Sequence, residues 1–185
     1  MRIGILGALS AALYIFPEIP VFPPIYKIDL SALPALVGGM TMGPLASLLI
    51  LLIKDLTGLL HSTSMGVGEL ADFLMTGSLC VAASAVYIRR KDMRGAVLGM
   101  ALGILAITLV GAAANYWIMI PFYMKVMNLP EEAIIGMMAK LVPEVDSLGK
   151  MILLVVMPFN FLKGVIIGAV SLLVYKPLRK LLETA

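Results

Sequence analysis

The sequence predicts an all-α integral membrane protein, a single domain over residues 1–185 with six transmembrane helices, the second of them short. Three observations carry this. Hydrophobic residues make up 61% of the chain and mean hydropathy is +1.04, whereas a soluble domain is about half apolar. The apolar residues fall into runs approaching the roughly 20 residues a helix needs to cross a hydrocarbon layer. Basic residues gather at the ends of those runs rather than along them.

The first run covers about 2–16 and stops at Pro17. No small-residue cleavage site ends it, so it reads as a retained helix and not as a removed signal. The stretch from Pro17 to Asp29 carries Pro17, Pro20, Pro23 and Pro24, which forbid a regular helix and predict a loop. The next apolar run is interrupted by Gly43-Pro44, a natural helix boundary. It therefore divides into a short helix, about 31–42, and another, about 44–60. Further helices are predicted over about 67–88, 95–120 and 148–176. Between the last two lies a polar loop, 121–147, with a short amphipathic helix starting at Glu131.

Charge sets the orientation. Arg2 precedes the first helix, Arg89, Arg90, Lys91 and Arg94 join the fourth and fifth, and Lys176, Arg179 and Lys180 follow the sixth. An even count of six puts all three places on one side, the cytoplasm. Reading 31–60 as one long span would put the two later clusters on opposite sides. Both termini are thus expected in the cytoplasm, with the proline-rich loop, His61–Ser64 and the loop bearing Glu131, Glu132, Glu144 and Asp146 outside.

The net charge of +3 does not point to nucleic acid, because the basic residues form no stripe interleaved with aromatics. The single cysteine, Cys80, cannot form an internal disulfide and reads as a packed hydrophobe. His61-Ser62-Thr63-Ser64 lacks a nucleophile elbow. No Walker, zinc or dinucleotide motif is present, so any ATP that drives this protein is hydrolysed elsewhere. No metal site and no catalytic residue are expected.

Ionisable and amide side chains at membrane depth are functional candidates by default. Here they are Lys54, Asp55, Glu69, Asp72, Asn115, Asn160 and Lys163. Asn160 and Lys163 are three residues apart and share a helix face. Phe159 and Phe161 flank the amide, and Pro158 should loosen the helix nearby. A ligand patch and a packing ion pair with Glu69 or Asp72 both fit this pattern. Asn115-Tyr116-Trp117 fits an interfacial belt as well as it fits a site. Lys54-Asp55 reads as an ion pair at an outward helix end. Glu69 and Asp72 read as acids at a helix N-terminus, with a proton-coupling role as the alternative. Gly4, Ala8 and Ala12 line one face of the first helix, and Gly95, Gly99 and Gly103 one face of the fifth; small residues of this spacing admit a close helix neighbour.

Several segments in chain order carry a family resemblance: Lys27-Ile-Asp-Leu-Ser-Ala-Leu-Pro34, Gly43-Pro44, Ile53-Lys-Asp-Leu56, Gly66-Val-Gly-Glu-Leu-Ala-Asp-Phe73, Asn115-Tyr116 with Pro121, and Pro158-Phe-Asn-Phe-Leu-Lys-Gly164. Together they resemble the riboflavin-binding S components (RibU family) of energy-coupling factor (ECF) vitamin transporters. The resemblance spans nearly the whole chain and is weakest over 121–147. Asp72 and Asp55 depart from it, since Asn is expected at both.

The resemblance implies a high-affinity riboflavin-binding subunit of an ATP-driven uptake transporter, multi-pass in the cell membrane and not an enzyme. It implies an outward-facing pocket capped by the extracellular loop between helices one and two. Its partners would be a membrane coupling subunit (EcfT-type), two cytoplasmic ATPases and the lipid bilayer, with no cofactor. Riboflavin is the expected ligand, with the flavin phosphate FMN open as a second. The resemblance assigns the flavin ring to Asn115, Asn160 and Lys163, and the coupling face to Ala8 and Ala12, with Gly4 in the same row. The chemistry of the ligand adds Phe159 and Tyr116 as aromatic wall, and Tyr26 and Asp29 as polar groups for the ribityl chain. An S component for another vitamin, and a small membrane enzyme acting on a lipid through Glu69, Asp72 or His61, are the alternatives.

Overall fold

The computed structural model describes residues 1–15, 19–22, 26–28, 30–62 and 64–183, with backbone alone for 19–22, 26–28 and 175–183. Helix α1 (Arg2–Ile15) leads into two short strands, β1 (Ile19–Phe22) and β2 (Tyr26–Ile28). They pair antiparallel, with Ile19 opposite Ile28 and an irregularity between Pro20 and Phe22. The all-α expectation missed this hairpin. Proline at the edge of a two-stranded ribbon is compatible with pairing, so a stretch that cannot be helical is not obliged to be a loop.

Helix α2 (Ala32–Met42) is short, and α3 (Pro44–Gly58) follows it at once, closed by a 3-10 turn over Leu59–His61. Gly43 between them has φ +106°, a conformation only glycine adopts freely. Pro44 then opens α3 at a position where its missing N–H is not needed. Helix α4 (Val67–Arg89) and helix α5 (Met93–Ala114) are long antiparallel neighbours. Asp92 caps α5 by accepting the Gly95 N–H at 2.6 Å.

The fifth apolar run continues beyond the predicted limit at 120. After α5 comes a π-turn, Asn115–Met119, and then α6 (Ile120–Val126), so the helix is continuous from Met93 to Val126. The Ile120 N–H bonds the Asn115 carbonyl, five residues back, and the widened turn accommodates Pro121. Helix α7 (Glu131–Ala139) begins at the predicted Glu131. Helix α8 (Leu148–Met151), a second π-turn (Ile152–Val156) and α9 (Met157–Glu183) form one continuous helix around Pro158. The Met157 N–H bonds the Ile152 carbonyl, so the two π-turns stand at the same offset from their prolines.

Among the described residues, four helical segments are long and apolar enough to cross a membrane: Pro44–His61, Val67–Arg89, Met93–Val126 and Leu148–Val174. Helices α1 and α2 are shorter apolar helices. Large apolar side chains, among them Leu45, Leu105, Leu109, Leu153 and Leu173, lie exposed on the outside, as they would against lipid. Leu36, Ile50, Leu51, Leu79, Cys80, Ile107 and Ile167 form the main buried cluster. A second cluster, with Ile120, Ile134, Met138, Val145 and Val156, packs α7 against the far ends of the long helices. The Gly95, Gly99 and Gly103 row is spent internally. A Cβ at Gly99 would lie 2.6 Å from the Ala83 carbonyl oxygen, and one at Gly103 would lie 2.9 Å from that of Leu79.

Candidate ligand-binding site

The C-terminal ends of α1, α3 and α5 meet the N-terminal half of α4 and the first turns of α9. Nearly all the ionisable and amide candidates lie on those segments.

Asn115 is buried at the start of the first π-turn, and its amide donates to the Gly111 carbonyl at 2.8 Å. Asn160, only 1% exposed, donates its amide to the Val156 carbonyl at 2.9 Å. The two side chains meet at Gly111. A Cβ there would lie 2.7 Å from both Cγ and Nδ2 of Asn160, so only glycine admits the Asn160 amide against α5. Among the described residues, Asn160 Oδ1 has no hydrogen-bond partner. A buried, unmatched acceptor loses about 1–3 kcal/mol of solvation, a cost that a ligand donor would remove. Phe159 is buried beside it, whereas Phe161 faces outward.

Lys163 is one turn further along α9 and buried. Its ammonium donates to Asp72 Oδ1 at 2.7 Å. Lys54 is completely buried and pairs with the other oxygen of Asp72, and it also lies 2.9 Å from Asp55 Oδ1. The Asp55 contact is an ion pair and lacks hydrogen-bond geometry. Thr76 donates to Asp72 at 3.2 Å, and the Tyr14 ring centroid is 5.0 Å from the Lys54 ammonium. Two lysines and two aspartates thus form a charge-balanced cluster joining α3, α4 and α9. The expected Lys54-Asp55 ion pair near the end of α3 is present, and it is buried and linked through Asp72 to Lys163. The cluster also separates Asp72 from Glu69. Glu69 is buried near the α4 N-terminus and accepts from Ser62 at 2.8 Å and Ser64 at 3.1 Å.

Tyr116 is half exposed and stands edge-on to Trp117 at 5.9 Å, with Trp117 71% exposed. That is an interfacial arrangement. Tyr26 falls in β2, where only the backbone is described, and Asp29 lies outside the described residues. His61 is exposed in the 3-10 turn. Gly4, Ala8 and Ala12 are all exposed, while Gly7 is buried and packs on Ile53.

A sequence model of the ECF transporter substrate-specific component family matches residues 1–175. The chain belongs to this family. As an S component it is 30% identical to the riboflavin transporter RibU of Staphylococcus aureus (strain TCH60), over 99% of this chain and 91% of that protein. It is 27% identical to the riboflavin transporter FmnP of Bacillus subtilis (strain 168), over 89% and 82% respectively. A solved structure of the S component of a bacterial ECF transporter superposes with a TM-score of 0.74 at 28% identity, covering 98% of this chain and 95% of that one. The fold is that of an S component, a membrane protein.

Reading the S component's sequence by itself misses Gly111, which lies in the apolar run Leu109–Ala114 and resembles ordinary small-residue packing. It also misses the part Lys54 plays. The signal available was the count of buried charges: two lysines and two aspartates at membrane depth require one another.

Proposed function

We propose that this S component captures riboflavin at the outer face of the cell membrane and hands it inward through a shared ATP-driven module. Asn160 Oδ1, a buried acceptor without a hydrogen-bond partner among the described residues, carries the reading. The pyrimidine edge of isoalloxazine alternates carbonyl acceptors with one N–H donor, and a carboxamide offers both functions in one plane. Asn160 Oδ1 takes the ring N–H. Each amide nitrogen has a second N–H beyond the one committed to its own helix, for the flanking carbonyls, and Lys163 adds a charged donor. Phe159 supplies an apolar wall. The names of the curated relatives support riboflavin as the vitamin.

In this reading α1 and α2 join the four longer segments as spans, giving six. The basic clusters hold both termini in the cytoplasm, and the segment between α1 and α2 caps the site, with Tyr26 and Asp29 near the ribityl chain. The exposed row Gly4, Ala8 and Ala12 meets an EcfT-type coupling subunit, behind which two ATPases act.

The test is flavin absorbance in the purified protein, followed by a fluorescence titration. The reading expects a tightly bound yellow chromophore, and at least tenfold weaker binding in Asn160→Ala and in Lys163→Ala. Unchanged affinity in both variants would show that the site is misassigned. A different copurifying vitamin would replace riboflavin while keeping the transporter class.

A further inference from the structure

We propose that Asp72 is a positioning residue for Lys163, fixing where that ammonium stands beside the ligand, in addition to balancing its charge. The inference rests on the riboflavin reading above. Three observations carry it. Asp72 touches both buried lysines at hydrogen-bond range, with Lys163 at 2.7 Å on Oδ1 and Lys54 on Oδ2. Its own carboxylate is oriented from within α4 by the Thr76 hydroxyl at 3.2 Å. Lys54, which braces the second oxygen, is in turn fixed by Asp55 at 2.9 Å and by the Tyr14 ring.

A lysine side chain is long and has several rotatable bonds, so its ammonium explores a wide volume unless an anion holds it. A carboxylate free to rotate would not define that point. Here both oxygens of Asp72 are engaged, one by each lysine, so the carboxylate plane is set by α3 and α4. Lys163 on α9 docks onto a fixed acceptor one helix turn from the Asn160 amide. The anchor thus comes from helices other than the one that carries the two ligand-reading groups.

Simple charge balance and positioning make different forecasts. Asp72→Asn leaves Lys54, Asp55 and Lys163, a buried surplus of one positive charge. Adding Lys54→Met restores neutrality with Asp55 and Lys163, but without the braced carboxylate. The experiment measures riboflavin affinity by fluorescence titration, and the thermal midpoint without ligand, on the full chain in detergent micelles.

Asp72→Asn is expected to lower both. In Asp72→Asn with Lys54→Met the thermal midpoint is expected to return to near the parent value, while affinity stays at least tenfold down. Asp72→Glu keeps the charge, moves the carboxylate by one methylene, and is expected to fold like the parent yet bind at least tenfold more weakly. Parent-like affinity in either the double variant or Asp72→Glu would overturn the proposal, and Asp72→Glu decides the matter alone should the Asn variants fail to fold. Loss of binding in Asn160→Ala and Lys163→Ala alongside parent-like Asp72→Glu would reject only the positioning role. Unchanged binding in all of them would reject the riboflavin site itself.

Discussion

The Lys163 ammonium on α9 stands 2.7 Å from an Asp72 carboxylate oxygen on α4, and 91 residues of chain separate the two. Through Asp72, Lys163 is joined to Lys54 and Asp55 on α3. Four charges are thereby held in a bundle whose outer surface is apolar, and the cluster is neutral only as a whole. Removing one member of a buried pair leaves an uncompensated charge and is far more damaging than removing a matched pair.

Lys54 tests that rule away from the ligand groups. Lys54→Met strands Asp55 and is expected to destabilise the unliganded protein by about 3–5 kcal/mol. Adding Asp55→Asn removes the α3 pair entirely and leaves Lys163 with Asp72. The double variant is expected to recover most of that loss, as measured by thermal unfolding in micelles. Equal damage in the single and double variants would mean that α3 packing, and not charge, sets the penalty.

Gly111 tests the approach of the two amides. Gly111→Ala forces a methyl to within 2.7 Å of Asn160 Cγ. Overpacking of this kind costs about 1–3 kcal/mol, which is roughly 5- to 150-fold if it falls on binding. A Cβ at Gly136 meets nothing within 4 Å, so Gly136→Ala is the matched control and is expected to bind like the parent. A titration in which both variants bind equally well would remove Gly111 from the site.

The pattern of what was legible follows from which forces act locally. The helix starts at Pro44 and Glu131 and the break at Gly43 were readable because a glycine or proline acts on its immediate neighbours. The end of the fifth helix was placed at 120, short of Val126, because its continuation depends on tertiary packing: Tyr123 and Met124, beyond Pro121, pack on the cluster that holds Ile134 and Val156. Asn160 and Lys163 were readable as a shared face from their spacing. Asp72 was readable as one of two candidate acids for Lys163, and the ion pair forms with it rather than with Glu69. Gly111 was not readable, because it meets Asn160 across helices and helix spacing says nothing about which neighbour a face meets.

The exposed row on α1 predicts a separation of binding from transport. Ala8→Trp with Ala12→Trp is expected to abolish riboflavin uptake by cells while leaving the affinity of the purified subunit within about threefold, because neither residue is buried in the bundle. A loss of binding would mean that this face packs internally.

Asp92 gives a pH prediction outside the membrane-spanning segments. The Gly95 N–H, and then the Arg90 side chain, hold its carboxyl below the ordinary carboxylate range. A carboxyl lowered by folding adds stability above its unfolded pKa, and that stability is lost as pH falls through the folded value. Asp92→Ala is therefore expected to lower the thermal midpoint slightly at neutral pH, with the difference from the parent closing on acidification. A difference that is constant with pH would assign the effect to something other than the charged cap.

The buried Asn160 amide is proposed to read the flavin ring, and fluorescence titration of riboflavin into the purified parent and into Asn160→Ala checks this. Saturable one-to-one quenching by the parent is expected, with a dissociation constant at least tenfold weaker for the variant at an unchanged thermal midpoint. Identical curves for the two proteins, or no quenching by the parent once any copurified ligand is removed, would contradict it.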